Sequence, residues 1–579
     1  MGLELLRRLL SPVTLLLLAL IVVLVASSLS DLGVAMVANH SGFKLSREFL
    51  MADESLEWNL TYGGSAADGA FSGQQTMDGG YVLAGWTASF SVSGDAWLVK
   101  TDAYGNMEWN KTYGGSEADW FNAVQQSSDG GYILAGLTTQ YYKYHAWIVK
   151  VDAFGIQEWN RTLGGTTEGE AHSVQQTTDG GYIVAGTTFF GANGADAWLW
   201  KTDSYGNLEW NRTYEGSGDD VAYDVQQTAD GGYIVCGSTT SFGMTMSDVW
   251  LFKTNATGAV EWSYVSGFPD IDEARSVQQT RDGGYIVAGF RYWTNRYDFW
   301  LIKTNSSGGI EWDKAYGGAD EEQAYSVQQT TDGGYIIAGS IRYIPTLKID
   351  AWVVKTDSQG NMDWNKIFGG AKADDAYDIK QTSDGGYIMV GQTESFGAGE
   401  SDFWAVKFFP KHDVAVDQII PSKTLVCQGY TLTLNVTVSN PGYYQETFNV
   451  TAYANSTAFA TQTVHNLPYD ATATLTFTWN TIGFPTGKYT LTAYAEPVEN
   501  ETKTANNQLT NATLILVTIP GNVNGDQKVD ILDVVKITSI YATNSTNPLF
   551  NPNSDIDNDQ KITILDVTIC TSHYGQKEK

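Results

Sequence analysis

The tetrad Asp-Gly-Gly-Tyr occurs seven times in this chain, beginning at Asp78, Asp129, Asp179, Asp230, Asp282, Asp332 and Asp384. The spacings are 51, 50, 51, 52, 50 and 52 residues. A period near fifty marks a propeller or solenoid, whose units bury their apolar faces only against neighbours. In the copy at residues 119–169, an extended run at 121–126 meets a second at 132–136 across Asp129-Gly130-Gly131. Asp-Gly between β-rich runs signals a hairpin, because glycine accepts the positive φ of the tight turn without a Cβ clash. Runs at 146–150 and 157–162 follow, joined at Asp152-Ala153-Phe154-Gly155. Four antiparallel strands in about fifty residues are one propeller blade.

Two tryptophans recur in every unit, one opening strand three (Trp97, Trp147, Trp198, Trp250, Trp300, Trp352, Trp404) and one in strand four (Trp58, Trp109, Trp159, Trp210, Trp262, Trp312, Trp364). They are 14 of the 19 tryptophans, and their fixed place predicts filler between blades, with sugar stacking an alternative for one or two. The first strand-four motif, Glu57-Trp58-Asn59, precedes the first tetrad, and the last unit stops after its third strand at residue 407. The N-terminal strand is therefore expected to complete the last blade, closing a ring of seven and removing exposed sheet edges.

At 579 residues several domains are expected. Arg7 and Arg8 precede an apolar run at 13–26, and Ala26-Ser27-Ser28 offers small residues for cleavage. Residues 1–28 read as a signal peptide or, if uncut, an N-terminal anchor, which would be the chain's sole membrane attachment. Either way the rest lies outside the cytoplasm, secreted or attached to the cell surface. Thirteen Asn-x-Ser/Thr sequons occur, four at one strand-four position (Asn59, Asn110, Asn160, Asn211). They are either glycosylation acceptors or a by-product of Asn/Thr alternation on an exposed face. Cys236, Cys427 and Cys570 fall in three regions and imply no disulfide framework. A net charge of −31, from 65 acidic and 34 basic residues, disfavours nucleic acid and anionic membranes as partners.

Beyond Phe408-Phe409-Pro410 the period vanishes, and alternating runs at 431–439, 447–454, 472–479 and 489–495 predict an immunoglobulin-like β-sandwich. Asp413-Val414-Ala415-Val416, Val436-Thr437-Val438-Ser439-Asn440-Pro441-Gly442 and Thr504-Ala505-Asn506-Asn507 resemble the CARDB family of bacterial and archaeal surface proteins. That resemblance implies a spacer or adhesive role.

The last sixty residues carry a duplicated acidic loop. The first copy presents Asn522, Asn524, Asp526, Asp530 and Asp533 at positions 1, 3, 5, 9 and 12, and the second presents Asp555, Asp557, Asp559, Thr563 and Asp566. This spacing wraps hard oxygen ligands around Ca²⁺, with a position-7 carbonyl from Lys528 or Lys561. An apolar helix is expected after each loop. The tandem pattern over about residues 520–576 resembles a type I dockerin, which implies two Ca²⁺ sites and a cohesin-like protein partner. The second loop, with four carboxylates against three, is the expected tighter site. Position 6 is Gln527 or Gln560 where the family favours glycine. Positions 10 and 11, which contact cohesin in the family, are Ile531-Leu532 and Ile564-Leu565. The duplicated pair either offers a docking surface usable in two orientations or packs against the sandwich.

Blade-joining loops carry acids such as Glu117, Asp119, Glu170, Asp220, Asp272, Glu322 and Asp374, which either bind cations or polar glycans or are solvated. The Gln-Gln pairs, such as Gln125-Gln126, either line a channel or pair across strands. No histidine falls in a metal or triad spacing, and the near-identical blades weigh against a catalytic site. The repeats are similar to those of secreted propeller surface proteins and share only blade packing with quinoprotein propellers.

The expected chain is mainly β: a signal or anchor at 1–28, a linker at 29–53, a seven-bladed β-propeller at 54–410, a CARDB-like β-sandwich at 411–518 and a small α-helical dockerin-like domain at 519–579. Its expected function is extracellular, non-catalytic binding and scaffolding. The alternative is binding or degradation of cell-surface polysaccharide on the propeller face.

Overall fold

A computed structural model describes residues 36–39, 42–45 and 56–577, without positions 92, 165–167, 192–193, 215, 244–245, 269, 294, 345 and 500. The targeting segment expected at 1–28 lies outside the described residues. Among them, no helix is long and apolar enough to cross a membrane.

Seven four-stranded antiparallel sheets follow one another along the chain. The first is Asp68–Gln75, Tyr81–Thr87, Asp95–Thr101 and Met107–Tyr113. The seventh joins Asp374–Gln381, Tyr387–Thr393 and Asp402–Phe408 to the N-terminal strand Leu56–Tyr62. Asn59 lies opposite Val406 and Thr61 opposite Trp404, so the ring closes on its own first strand. Leu83 and Trp97 of the first sheet share a buried cluster with Ile388 and Phe403 of the last.

Each residue of the tetrad has a separate task. Gly79 turns at φ +87°, and a Cβ on Gly80 would lie 2.1 Å from the Thr101 carbonyl oxygen, so both glycines are required. The tyrosine is buried under the strand-four tryptophan of the neighbouring blade, as in Trp58–Tyr81 at 5.4 Å and Trp109–Tyr132 at 6.1 Å. The aspartate does more than form the turn. In blade four, Asp230 holds the buried Lys253 ammonium at 3.0 Å, with Glu261 at 3.1 Å on its other side. The same lysine clamp recurs in all seven blades, with Asp363 replacing the glutamate in the sixth and Glu57 supplied by the N-terminal strand in the seventh. Strand-three tryptophans are 0–7% exposed, in line with the packing reading.

The first glutamine of each pair, such as Gln125 and Gln328, lines a central cavity, and the pairs also staple adjacent blades. Gln125 Oε1 accepts from the Gln176 N–H of the next blade at 2.6 Å, and Gln126 Oε1 accepts from the Met77 N–H of the preceding one at 2.8 Å. Their side-chain amides thus satisfy backbone groups at the blade seams.

The sandwich that follows buries Leu434, Val436, Phe477 and Trp479 between a sheet built on Thr431–Ser439 and Thr472–Asn480 and one built on Glu446–Ala454 and Leu491–Ala495. The short strand Leu425–Cys427 pairs in parallel with Ile515–Thr518 and leads to the C-terminal segment. That segment holds two helices, α1 (Ile531–Thr538) and α2 (Ile564–Ser572).

Candidate metal centre and propeller channel

The two acidic loops fold as near copies. Asp530 caps α1 and Thr563 caps α2, each in a capping box closed by the position-12 aspartate, Asp533 or Asp566. Asp533 Oδ1 accepts from the Val523 N–H at 2.9 Å, and Asp566 Oδ1 from the Ile556 N–H at 2.7 Å, which pulls the loop start onto the helix. Val529 exchanges backbone hydrogen bonds with Gly575 and Gln576 after α2, and Ile562 does the same with Ala542 and Thr543 after α1. Gln527 and Gln560 sit at φ +72° and +65°, a left-handed conformation that favours glycine.

The loops differ in how they gather charge. Among the described residues, a cluster of acids close enough to share a cation occurs at Asp555, Asp557 and Asp559, whose ligand oxygens lie within 4.8 Å of one another. Burial, with Asp566 nearby, pushes the Asp555 carboxyl up to about 6 against the hydrogen bond from Gln560 N–H. Carboxylates crowded this way fit a divalent cation, which would relieve their repulsion. In the first loop Asp530 turns instead to the Lys528 ammonium at 2.7 Å, while Asn522 Oδ1 accepts from the Gly525 N–H and Asn524 Oδ1 from the Asp526 N–H. Lys561 keeps its backbone on the loop, bridged to Asn544. Ile531, Leu532, Ile564 and Leu565 are all more than half exposed, so neither apolar pair packs on the sandwich.

The propeller carries a second feature. In every blade the innermost strand bulges at one residue: register shifts fall between Ala70 and Ser72, Phe121 and Ala123, Ala171 and Ser173, and at the four equivalent places beyond. The bulged residues are Phe71, Asn122, His172, Tyr223, Arg275, Tyr325 and Tyr377, and all seven line a central cavity of about 310 Å³. The surrounding sequence is nearly constant, yet this position varies around the ring. The blades are thus less interchangeable than their tetrads imply, and a column of varying residues beside an alanine kept in six of the seven blades was the signal for it. The Arg275 guanidinium lies 4.0 Å from the Tyr223 ring centre and is paired with Glu273. Phe71 meets Tyr377 edge-on at 5.3 Å, and burial keeps His172 below the usual histidine range. One layer deeper, Asp224 accepts from Ser173 Oγ at 2.7 Å and Asp378 pairs with Lys380 at 2.7 Å.

Several loop acids are neither solvated nor grouped as cation ligands. Asp68, Asp119, Asp220, Asp272, Glu322 and Asp374 are at most 2% exposed. They clip the blade loops, as where Asp220 accepts from Ser241 Oγ at 2.7 Å and Asp374 from the Gly370 N–H at 2.7 Å.

Residues 411–511 match the CARDB family. This segment is a CARDB domain. A CARDB domain from Pyrococcus furiosus, solved in complex with di-metal ions, is similar over 19% of this chain and 97% of its own, at 25% identity and a TM-score of 0.17. The β-propeller domain of the Trilobed protease from Pyrococcus furiosus is similar over 60% of this chain and 94% of its own, at 8% identity and a TM-score of 0.36. Sqt1 from Chaetomium thermophilum is similar over 65% of this chain and 97% of its own, at 10% identity and a TM-score of 0.36. No curated protein matches the chain.

The CARDB domain grips the second acidic loop. Lys423, 4% exposed, donates from Nζ to the Asp555 carbonyl at 2.8 Å, and Asn553 Oδ1 accepts from the Thr424 and Leu425 N–H groups at 2.9 Å each. Cys427 of the CARDB domain joins Val523, Val529, Ile537, Ile556, Ile562 and Cys570 in one buried cluster. The inner faces of α1 and α2 are therefore occupied, while the 10/11 pairs stay outward.

Proposed function

We propose that this chain is an extracellular, non-catalytic binding protein whose propeller presents a recognition face and whose C-terminal segment is a type I dockerin-like module that docks to a cohesin-like partner when loaded with Ca²⁺. The observation that carries this reading is the paired exposure of Ile531-Leu532 and Ile564-Leu565 at equivalent positions on two capped helices. Their opposite faces are buried in a cluster that the two halves share with Cys427 of the CARDB domain. An apolar patch kept outward on a domain that has buried its other face fits a partner surface. In the second site, Asp555, Asp557, Asp559 and Asp566 would supply carboxylates, Lys561 its carbonyl and Thr563 its hydroxyl. In the first, Asn522, Asn524, Asp526, Lys528, Asp530 and Asp533 would serve. Ca²⁺ would hold the loops in the geometry that sets the two pairs.

Calorimetry with the full chain tests the reading: two Ca²⁺ sites are expected, with Asp559→Ala removing the tighter. Titration with a cohesin module, in Ca²⁺ and in EDTA, is expected to show binding only with Ca²⁺. Replacing one apolar pair by aspartates would leave binding through the other, and replacing both would abolish it. Cohesin binding indifferent to both replacements, or no Ca²⁺ uptake, would refute the docking role. The second reading, recognition or degradation of cell-surface polysaccharide by the propeller, draws on the asymmetry of the channel residues. Release of sugar from polysaccharide would favour an enzyme.

A further inference from the structure

We infer that the channel mouth of the propeller, with a cleft beside it, is a binding site for a neutral oligosaccharide. The inference rests on reading the propeller as a recognition face and names its ligand class and residues. Seven bulges at one position, delivering five kinds of side chain with three tyrosines among them to one cavity, are a site-building device; bulges re-aim side chains next to functional sites. The buried residue before each bulge is alanine in six of the seven blades, so the packing there is nearly uniform while the bulged residue varies.

The cleft widens the case. Five tryptophans fall outside the fourteen of the repeat, and two of them, Trp86 and Trp120, line an adjoining cleft of about 640 Å³. Phe71 and Asn122 line both spaces, so the cleft adjoins the channel mouth. Glu170 sits at their junction, its Oε1 accepting from Trp120 Nε1 at 3.0 Å and from Asn122 Nδ2 at 2.7 Å. These bonds fix the indole and the carboxylate in place before any ligand arrives, which lowers the ordering cost of binding.

The chemistry selects the ligand. Each base in the cavity wall has its own acid: Arg275 has Glu273, and Lys380 has Asp378. No net positive charge is left for a phosphate or sulfate. Asp224 is saturated by the Ser173 and Ser276 hydroxyls and the Val225 and Val277 N–H groups, which disfavours it as a cation ligand. What remains is aromatic faces alternating with polar groups: the Asn122 Oδ1 acceptor, the His172 ring and the tyrosine hydroxyls. Arg275 Nε is a buried donor without a protein partner. A pyranose ring, with C–H faces and a hydroxyl rim, matches that alternation, and a site of a few hundred Å³ takes a chain end rather than a folded partner. The terminal residue would enter the channel mouth and the following ones would lie along Trp120 and Trp86.

The test uses the full chain against neutral tetra- to hexasaccharides of glucose, mannose, galactose, xylose and N-acetylglucosamine, with sulfated and uronic-acid oligosaccharides as the charged arm. At least one neutral oligosaccharide is expected to bind. Trp120→Ala and Tyr377→Ala are each expected to weaken it about tenfold or more. Trp293→Ala, at another solvent-facing tryptophan outside the repeat, is expected to leave it unchanged. If Trp120→Ala lowers the unfolding temperature, Trp120→Phe decides: it keeps the aromatic face and loses the bond to Glu170, and binding within about threefold of the parent is expected. Binding of none of the neutral panel, binding of charged oligosaccharides alone, or indifference to both Trp120 and Tyr377 would overturn the inference. Ca²⁺-dependent cohesin binding, measured on the same variants, is expected to be unaffected, so failure of one reading is separable from failure of the other.

Discussion

Gln75 Oε1 accepts a hydrogen bond from the backbone N–H of Ser383, 308 residues further along the chain, at 2.8 Å. The same staple joins neighbouring blades elsewhere, so the first and last blades meet by the rule that joins consecutive ones. Trp404 Nε1 donates to Asn59 Oδ1 at 2.6 Å and the Lys407 ammonium lies 3.1 Å from Glu57, both across the closing strand. Gln75→Ala is expected to cost about 1 kcal/mol. Starting the chain at residue 63 is expected to do far more, because it leaves Asp402–Phe408 as an open, apolar sheet edge. Light scattering after size exclusion is expected to show aggregates for the truncation and a parent-like mass for Gln75→Ala.

The lysine clamps predict acid sensitivity. Burial opposes ionisation of Asp230, but hydrogen bonds from Thr228, Gly232 N–H and Lys253 outweigh it and hold the carboxyl down at about 2. Asp129 and Asp282 are held at about 2 in the same way. A carboxylate depressed on folding adds stability above its ordinary value, and that stability is lost as pH falls through the folded value. The aspartates are more than half exposed, so each clamp is discounted for solvent screening. The unfolding temperature is expected to drop between pH 4 and pH 2, and Asp230→Asn to flatten part of that drop while lowering the plateau at pH 7.

Glu322 runs the opposite way. Burial, reinforced by Asp298, pushes its carboxyl up to about 7 against the Gly318 N–H. A carboxyl raised on folding favours the folded state most below its ordinary value, and the benefit fades as pH climbs toward 7. Glu322→Gln is expected to raise stability at pH 8 by about 1–2 kcal/mol and to be near neutral at pH 4.5, read from denaturant melts at both pH values.

Much of the ring was legible because its determinants repeat. Trp97 or Tyr132 announces a packing site by recurring, and the early Glu57-Trp58-Asn59 announces closure by its phase. The lysine clamp was equally periodic but hidden, since Lys253 reads as an exposed strand residue until Asp230 and Glu261 are seen on either side. The channel was less legible for the converse reason. Phe71, His172 and Arg275 share no chemistry, and only the bulge brings them to one cavity. Trp364 is 1% exposed while its counterparts are half-buried, because Tyr443 of the CARDB domain covers it at 5.4 Å. No single repeat encodes that contact. In the C-terminal segment the loop spacing located the acids, but the turn of Asp530 toward Lys528 depends on a side-chain choice that spacing does not specify.

The left-handed turn at position 6 gives a graded test of the loops. Gln560 holds φ +65° while its N–H donates to Asp555 Oδ2 at 2.8 Å and its carbonyl accepts from the Ser545 N–H at 3.0 Å. The backbone conformation is thus needed by the loop, and a side chain there costs about 1 kcal/mol that glycine would not. Glycine returns part of that through its larger freedom in the unfolded chain, so Gln560→Gly is expected to gain about 0.5 kcal/mol. A β-branched residue tolerates φ > 0 worst, so Gln560→Val is expected to lose about 1 kcal/mol or more. If Ca²⁺ binding orders the loop, the midpoint of Ca²⁺ titration should follow the order Gly, Gln, Val from tightest to weakest. An order set by side-chain bulk at the surface would instead leave glycine and glutamine apart and valine between them.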